Sequence, residues 1–163
     1  TVGKKKYADV QELAIESQKK GNELKAQFVD VIDRDTEAFN AVSAVFAMPK
    51  DTDEEKAARK AAMQEALKGC TKTPFEMMEL ACQALELTRS VVGKLNASAA
   101  SDLGCAALSL KAAIQGAWLN VLINIGGIQD QAFADEYRQK GQALLDKALP
   151  LADAIYQEVL ESL

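Results

Sequence analysis

From Val10 onward, apolar and small side chains return every three or four residues. Leu13, Ala14, Ser17, Gly21, Leu24, Phe28, Val31, Ile32, Asp35, Phe39, Val42 and Phe46 form one stripe at helical spacing. The pattern predicts a first helix of about ten turns, roughly 55 Å long. Met48-Pro49 ends it, because proline disfavours a helical residue before it. Thr52-Asp53-Glu54-Glu55 is a capping box that opens a second helix running to about Cys70, with Ala62, Met63, Ala66 and Leu67 on its inner side. Thr73-Pro74-Phe75-Glu76 reads as another capping box, with proline at the first helical position, opening a third helix. That helix carries two apolar stripes, one through Met77, Leu80, Ala84, Leu87 and Val91, the other through Phe75, Met78, Cys82, Leu85 and Val92. Gly93 suits its C-terminal cap. A small-residue helix then runs from Asn96 to Gly126-Gly127, and a last one starts near Asp130. Its inner face carries Phe133, Tyr137, Gly141, Leu144, Ala148, Leu151, Ile155 and Val159, with a bend expected at Pro150. No strand pattern appears. The prediction is all-α, a single up-and-down bundle of about five helices with long first, central and last members.

The central segment, NASAASDLGCAALSLKAAIQGAWLNVLINIGG, is built of alanine, glycine and serine to an unusual degree. Such a helix lets neighbouring backbones approach closely, which places it in the middle of the bundle with partners on several sides. Asp102 and Asn120 are separated by five whole turns at about 100° per residue, and Asn124 follows one turn later, so the three share a face. Buried there, they need hydrogen-bond partners. For the asparagines this reads either as interhelical or dimer-interface bonding or as a site; for Asp102 the reading leans to a site.

Asp35 raises the same question on the first helix. It lies near the centre of the stripe, with Val31, Ile32, Phe39 and Val42 a turn to either side, whereas Asp33 points to the opposite face. A carboxylate on a core face is either half of a buried ion pair or a functional group in a cleft.

Composition narrows the chemistry. The chain has 163 residues, enough for one domain with a real core, and a net charge of −5, which argues against a broad nucleic-acid-binding surface. Its three cysteines are isolated and fall in helical patterns, pointing to free buried thiols in a reducing, cytoplasmic compartment. No apolar run approaches the roughly twenty residues of a membrane span. The chain has no histidine, which removes Ser-His and Cys-His nucleophile arrangements and the Glu-x-x-His pair of di-iron bundles; no cysteine cluster has zinc spacing, so no metal is expected. Two inward carboxylates, two carboxamides and a few basic residues remain. They can perform metal-free acid–base chemistry or form a polar seam.

Several ordered motifs carry a resemblance. DTEAFNA at 35–41, MPK at 48–50, EEKAARKAAMQEAL at 54–67, proline at 74, GKLNASAASD at 93–102 and GAWLNVLIN at 116–124 together resemble the cyclodeaminase domain of the formiminotransferase–cyclodeaminase family. That superfamily also includes stand-alone methenyltetrahydrofolate cyclohydrolases. The resemblance covers nearly the whole chain from Lys4 onward, which reads as one domain over 1–163. Family members carry a Pro- and Gly-rich segment before the Gly-Lys-Lys-Lys stretch that is not in these residues, so this domain is expected to lack it.

The resemblance implies a folate one-carbon enzyme with a tetrahydrofolate derivative as substrate and no covalently bound cofactor. The activity it implies is cyclodeaminase, converting 5-formiminotetrahydrofolate to 5,10-methenyltetrahydrofolate and ammonia, with cyclohydrolase as the alternative; a non-catalytic helical scaffold or folate-binding subunit is the reading of another class. It assigns catalysis to Asp35 and Asp102, and substrate binding to Lys50, Arg59, Asn96, Ser101, Asn120 and Asn124. The expected partners are a second copy of the chain and an associated formiminotransferase, with neither nucleic acid nor membrane. One difficulty is geometric: Asp102 and Asn120 stand about 27 Å apart along a straight helix. Both can be functional only by serving different regions, for which a site at a dimer boundary is one arrangement.

Overall fold

The computed structural model describes residues 1–163. A 3-10 turn, Lys5–Val10, leads into four long helices: α1 (Gln11–Phe46), α2 (Asp53–Val91), α3 (Ala100–Ile125) and α4 (Gln131–Ser162). A short 3-10 turn, Ala97–Ala99, precedes α3. The all-helical architecture agrees with the sequence pattern; the number of helices does not. The second and third expected helices are one helix of 39 residues, continuous through Pro74.

The reason is a hydrogen bond that sequence spacing does not reveal. Proline has no N–H to offer the carbonyl four residues earlier, here that of Cys70. Asn124 of α3 donates its Nδ2 to that carbonyl oxygen at 2.8 Å. The defect is therefore repaired from the neighbouring helix. Thr73 and Glu76, expected to form a cap, are used otherwise: Thr73 donates to Asp35, and Glu76 accepts two hydrogen bonds from Arg34 of α1. The capping box at the true start of α2 is present, with Thr52 and Glu55 satisfying each other's free amides.

α2, α3 and α4 pack on one another around Met78, Leu85, Ile114, Val121 and Ile155, all fully buried. Phe75 meets Tyr137 edge-on, and Phe133 stacks on Tyr137. Two glycines permit close approach: a Cβ on Gly141 would fall within the Trp118 ring, and one on Gly104 would stand 3.1 Å from Val159. Gly93 adopts φ +72° after the end of α2. α4 continues through Pro150 to Ser162.

α1 packs on α2 alone among the long helices. Leu24 and Val31 bury against Leu80, and Ala38 and Val45 continue that seam at heptad spacing. Arg34 reaches Glu76 through two nitrogens at 2.6 and 2.7 Å while its Nε holds Asp30. At the end of α1, Arg59 donates to the carbonyls of Val45 and Phe46, in the last turn of the helix.

The single apolar stripe expected from the sequence is thus two stripes. One is the seam on α2; the other, carrying Ile32, Asp35, Phe39 and Phe46, faces solvent. α3 departs from expectation in the same way. It contacts α2 and α4 on one side only, and Leu119 and Ile123 on the other are 67% and 76% exposed. By length and composition Ala97–Ile125 is apolar enough to cross a membrane, contrary to the sequence reading. Its neighbour α2 runs beside it with Lys72, Glu79 and Glu86 exposed, charges that a bilayer core would exclude.

Candidate functional site

Because α1 and α3 both lean on α2 without meeting each other, a groove opens between them. Its floor is Thr73, Pro74 and Met77 of α2; its walls include Phe28, Ile32 and Asp35 of α1 and Ala113, Gly116 and Asn120 of α3. The volume, about 480 Å³, lies within the range of small-molecule sites. An apolar wall with a few convergent polar groups is the usual form of such a site.

Asp35 is the one ionisable group in the lining. It lies at the edge of the exposed stripe of α1, within reach of α2, where Thr73 Oγ1 donates to its Oδ1 at 2.7 Å. No cation pairs with it, so the ion-pair alternative does not hold here. Nor is Asp35 buried: in the single chain it is exposed, and the groove it lines is open to solvent. One carboxylate oxygen is fixed by Thr73, leaving the other free to accept a proton or face a cation. Of the three cysteines, Cys70 and Cys82 are buried as expected and Cys105 is exposed; Cys70 lies one turn before Pro74. Burial, with the Asp35 charge as a second cause, pushes the thiol above its ordinary pKa, so it stays protonated and is a poor nucleophile.

Asn120 and Asn124 line up along α3 as the spacing requires. Asn120 lines the groove, and its Nδ2 donates to the Gly116 carbonyl at 3.1 Å. Asn124 Nδ2 donates to the backbone carbonyls of Cys70 and Asn120. The carboxamide expected to contact substrate thus has a structural task as well, holding Pro74 in the helix through its Nδ2.

The other expected site residues lie elsewhere. Asp102 and Ser101 are exposed in the first turn of α3, at the opposite end of that helix from the groove. Asn96 is close to them in sequence and caps the turn before α3, its Oδ1 accepting from Ser98 N–H and from the Tyr7 hydroxyl. Arg59 is occupied in capping α1 and lies over Phe46. Lys50 is exposed in the connection between α1 and α2. Within one chain, then, the structure brings together Asp35 and Asn120 and leaves Asp102, Ser101, Asn96, Lys50 and Arg59 outside the groove.

Thr73, Met77 and Gly116 are lining residues that sequence reasoning does not single out. A signal for Thr73 exists, since a threonine next to an internal proline can face a neighbouring helix; its likeness to a cap conceals it.

The family model described as formiminotransferase-cyclodeaminase matches residues 1–143. A methenyltetrahydrofolate cyclohydrolase of Methylorubrum extorquens is 40% identical over 98% of this chain and 76% of that protein. A formimidoyltransferase-cyclodeaminase of Sus scrofa is 34% identical over 76% of the chain, which corresponds to 23% of that longer protein. Among solved structures, formiminotetrahydrofolate cyclodeaminase from Thermotoga maritima superposes with a TM-score of 0.76 at 25% identity, over 99% of this chain and 74% of that one.

Proposed function

Because the chain belongs to the formiminotransferase-cyclodeaminase family, we propose that it is a folate one-carbon enzyme working at the carbon bridging N5 and N10 of tetrahydrofolate. Hydrolysis of 5,10-methenyltetrahydrofolate is the first reading, since the bacterial relative with that name matches nearly the whole chain. The cyclodeaminase reaction is the second, favoured by the likeness to the Thermotoga structure and to the mammalian protein. Both pass through a tetrahedral carbon between two nitrogens, so one site chemistry serves either.

In hydrolysis, water attacks the amidinium carbon and loses a proton to a base; the bond from that carbon to N5 then breaks, N5 takes up a proton, and the 10-formyl product is left. In the cyclodeaminase reaction N10 attacks the formimino carbon and ammonia is expelled. Each needs one group to accept and return a proton, and each places positive charge on the bridging carbon. Asp35 answers both needs. Its free oxygen can take the proton, and its negative charge lies where the amidinium would rest. Thr73 holds the carboxylate in one orientation, and Phe28, Ile32 and Met77 offer an apolar wall for the pterin ring. Asn120 is placed to hydrogen-bond a ring edge. Lys50, exposed in the connection beyond the end of α1, is outside the groove and contributes no contact to this reading.

The observation that carries this reading is the Asp35 carboxylate, unpaired by any cation, held by Thr73 on an apolar groove of substrate size. Offering the purified protein each substrate tests it. Loss of methenyl absorption supports the hydrolase, and a rising methenyl absorption with ammonia release supports the cyclodeaminase. Turnover of neither refutes both. The reading also includes a homodimer, association with a formiminotransferase and a cytoplasmic location. A mass by light scattering equal to one chain would remove the dimer.

A further inference from the structure

We propose that Asn124 is a positioning residue for the Asp35 carboxylate: from α3 it holds the turn of α2 whose Thr73 hydroxyl orients that carboxylate on α1. The part Asp35 plays in turnover rests on the folate reading; the mechanical link between the two residues does not.

The two walls of the groove, α1 and α3, do not touch, so their relative placement is decided on α2. α3 makes one hydrogen bond to α2, from Asn124 Nδ2 to the Cys70 carbonyl at 2.8 Å. The second Nδ2 proton goes to the Asn120 carbonyl at 2.9 Å, one turn back on α3, and the pair of bonds fixes the plane of the carboxamide. On the other wall Asp35 is held by Thr73 at 2.7 Å. Cys70 and Thr73 belong to the same turn of α2. That turn therefore carries both the tie to α3 and the tie to Asp35. Asn124 itself is not part of the groove lining, so its effect on Asp35 runs through the turn.

Pro74 leaves the same turn short of a rung, because it has no N–H for the Cys70 carbonyl, and helices bend where such a rung is lost. Arg34 and Asp35 are consecutive on α1, yet they are held from opposite sides of this break. Glu76, after it, accepts from Arg34 at 2.6 and 2.7 Å; Thr73, before it, donates to Asp35. The two grips agree only while the two halves of α2 keep their relative angle. Asn124 replaces the missing rung from outside the helix and so keeps that angle. Without it the Cys70 carbonyl is free to swing. A displacement of about 1 Å carries the 2.7 Å bond from Thr73 to Asp35 past the distance at which a hydrogen bond holds.

The direction of the Thr73 hydroxyl supports the assignment. Thr36, Thr71 and Thr88, the other threonines inside helices, each donate to the carbonyl four residues back, at 3.0, 2.9 and 2.8 Å. That is the ordinary habit of a helical threonine. Thr73 is buried, yet it gives its proton to another helix, where the acceptor is charged and the bond correspondingly stronger. The Gly69 carbonyl, four residues back, offers the hydroxyl the ordinary bond once the carboxylate is out of reach. The bond to Asp35 therefore persists only while placement favours it, and placement is what Asn124 supplies.

The test is a mutant cycle read in turnover. The full chain is assayed well below its melting temperature, per folded molecule, as wild type, Asn124→Ala, Pro74→Ala and the double variant. Asn124→Ala is expected to lower kcat about tenfold or more, the scale on which a misplacement of about 1 Å acts, with KM changed by less than about threefold. Alanine at 74 restores the N–H that the Cys70 carbonyl needs, so in that background Asn124→Ala should cost less than about twofold. Pro74→Ser restores the same N–H if the alanine variant folds poorly. Thr73→Val should lose kcat as Asn124→Ala does, and Thr73→Ser, which keeps the hydroxyl, should recover most of it. A full loss from Asn124→Ala in the Pro74→Ala background means that Asn124 meets substrate directly. A kcat within about twofold of wild type in Asn124→Ala alone means that the turn needs no tie. Either result overturns the proposal. A second arm needs no substrate. In protein carrying isotope-labelled aspartate, the carboxyl carbon resonance of Asp35, assigned by its absence from Asp35→Asn, should move in Thr73→Val and in the same direction in Asn124→Ala. Adding Asn124→Ala to Pro74→Ala should leave it in place. An Asp35 resonance that Asn124→Ala alone does not move overturns the proposal. If the resonance follows the cycle but wild type turns over neither folate, the link stands and the folate reading falls.

Discussion

Pro74 sits inside a 39-residue helix at the floor of the groove, and the helix survives because Asn124 satisfies the carbonyl that proline leaves free. Removing Asn124 therefore tests how the groove is built. In Asn124→Ala the Cys70 carbonyl, in a buried residue, loses its partner, and an unsatisfied buried acceptor costs about 1–3 kcal/mol. The bond from Asn124 to the Asn120 carbonyl contributes little, because that oxygen is one turn back on the same helix and keeps its backbone donor.

The background of Pro74→Ala isolates the effect. Alanine restores an N–H at position 74, which takes the Cys70 carbonyl in the ordinary way. Asn124→Ala should then cost under about 1 kcal/mol, and the double-mutant cycle should show a coupling of at least about 1 kcal/mol. Urea unfolding of the four proteins measures it. With a slope of about 2 kcal/mol/M, Asn124→Ala should lower the midpoint by about 0.5–1.5 M with Pro74 present and by much less in the Pro74→Ala background. Additive effects, within about 0.5 kcal/mol, would refute the repair and leave Asn124 as an ordinary packing residue.

Gly141→Ala should lower stability by about 1–3 kcal/mol, read as a fall in melting temperature, because the new methyl occupies the space of the Trp118 ring on α3. Asp35→Asn should reduce turnover by a factor of about 10²–10⁴ with little change in melting temperature, since the side chain is exposed and tied only to Thr73; a destabilised but fully active variant would sink its assignment. The Arg34 hydrogen bonds hold the Glu76 carboxyl below its ordinary pKa against an opposing effect of burial. An acid whose folded pKa is depressed stabilises fully above its unfolded value, near 4.5, and the contribution is lost as pH falls through the lower folded value. Glu76→Gln should accordingly flatten the acid limb of a stability–pH profile and leave the neutral limb unchanged in shape, and an unchanged acid limb would remove the clamp from the account.

Periodicity locates the helical stretches and most of their buried faces, because each helix meets a neighbour along a continuous line, and a line repeats in sequence. The capping box at Thr52 is legible for a local reason: all of its atoms lie within four residues. Thr73-Pro74-Phe75-Glu76 has the same letters and another meaning, decided by Asn124 fifty residues later and by Arg34 forty residues earlier. No window of local sequence contains those partners. Asp35 stands out because a charge interrupts an apolar stripe, and the structure places it on the groove. Arg59 and Asn96 have chemistry suited to a ligand, yet both satisfy backbone groups at helix ends, a demand as common as ligand binding.

The stripes themselves carry a further ambiguity. Burial selects apolar side chains whether the covering surface belongs to the same chain or to another, so a pattern of period 3.6 reports that a face is covered without saying by what. On α1 the sequence merges two faces into one stripe, of which the structure covers one with α2 and leaves Ile32 and Phe39 outside at 65% exposure each. On α3 the small residues suggest a helix hemmed in by its own bundle. Within the bundle, however, α3 meets only α2 and α4 among the long helices, and the close approach that glycine and alanine permit on its outer face is unused. Gly104 shows the contrast: it too is small, but it faces inward and has Val159 against it. A small residue with a neighbour at van der Waals distance has its explanation inside the chain. Gly116, exposed and with open space around it, does not, and packing within the chain leaves its size unexplained.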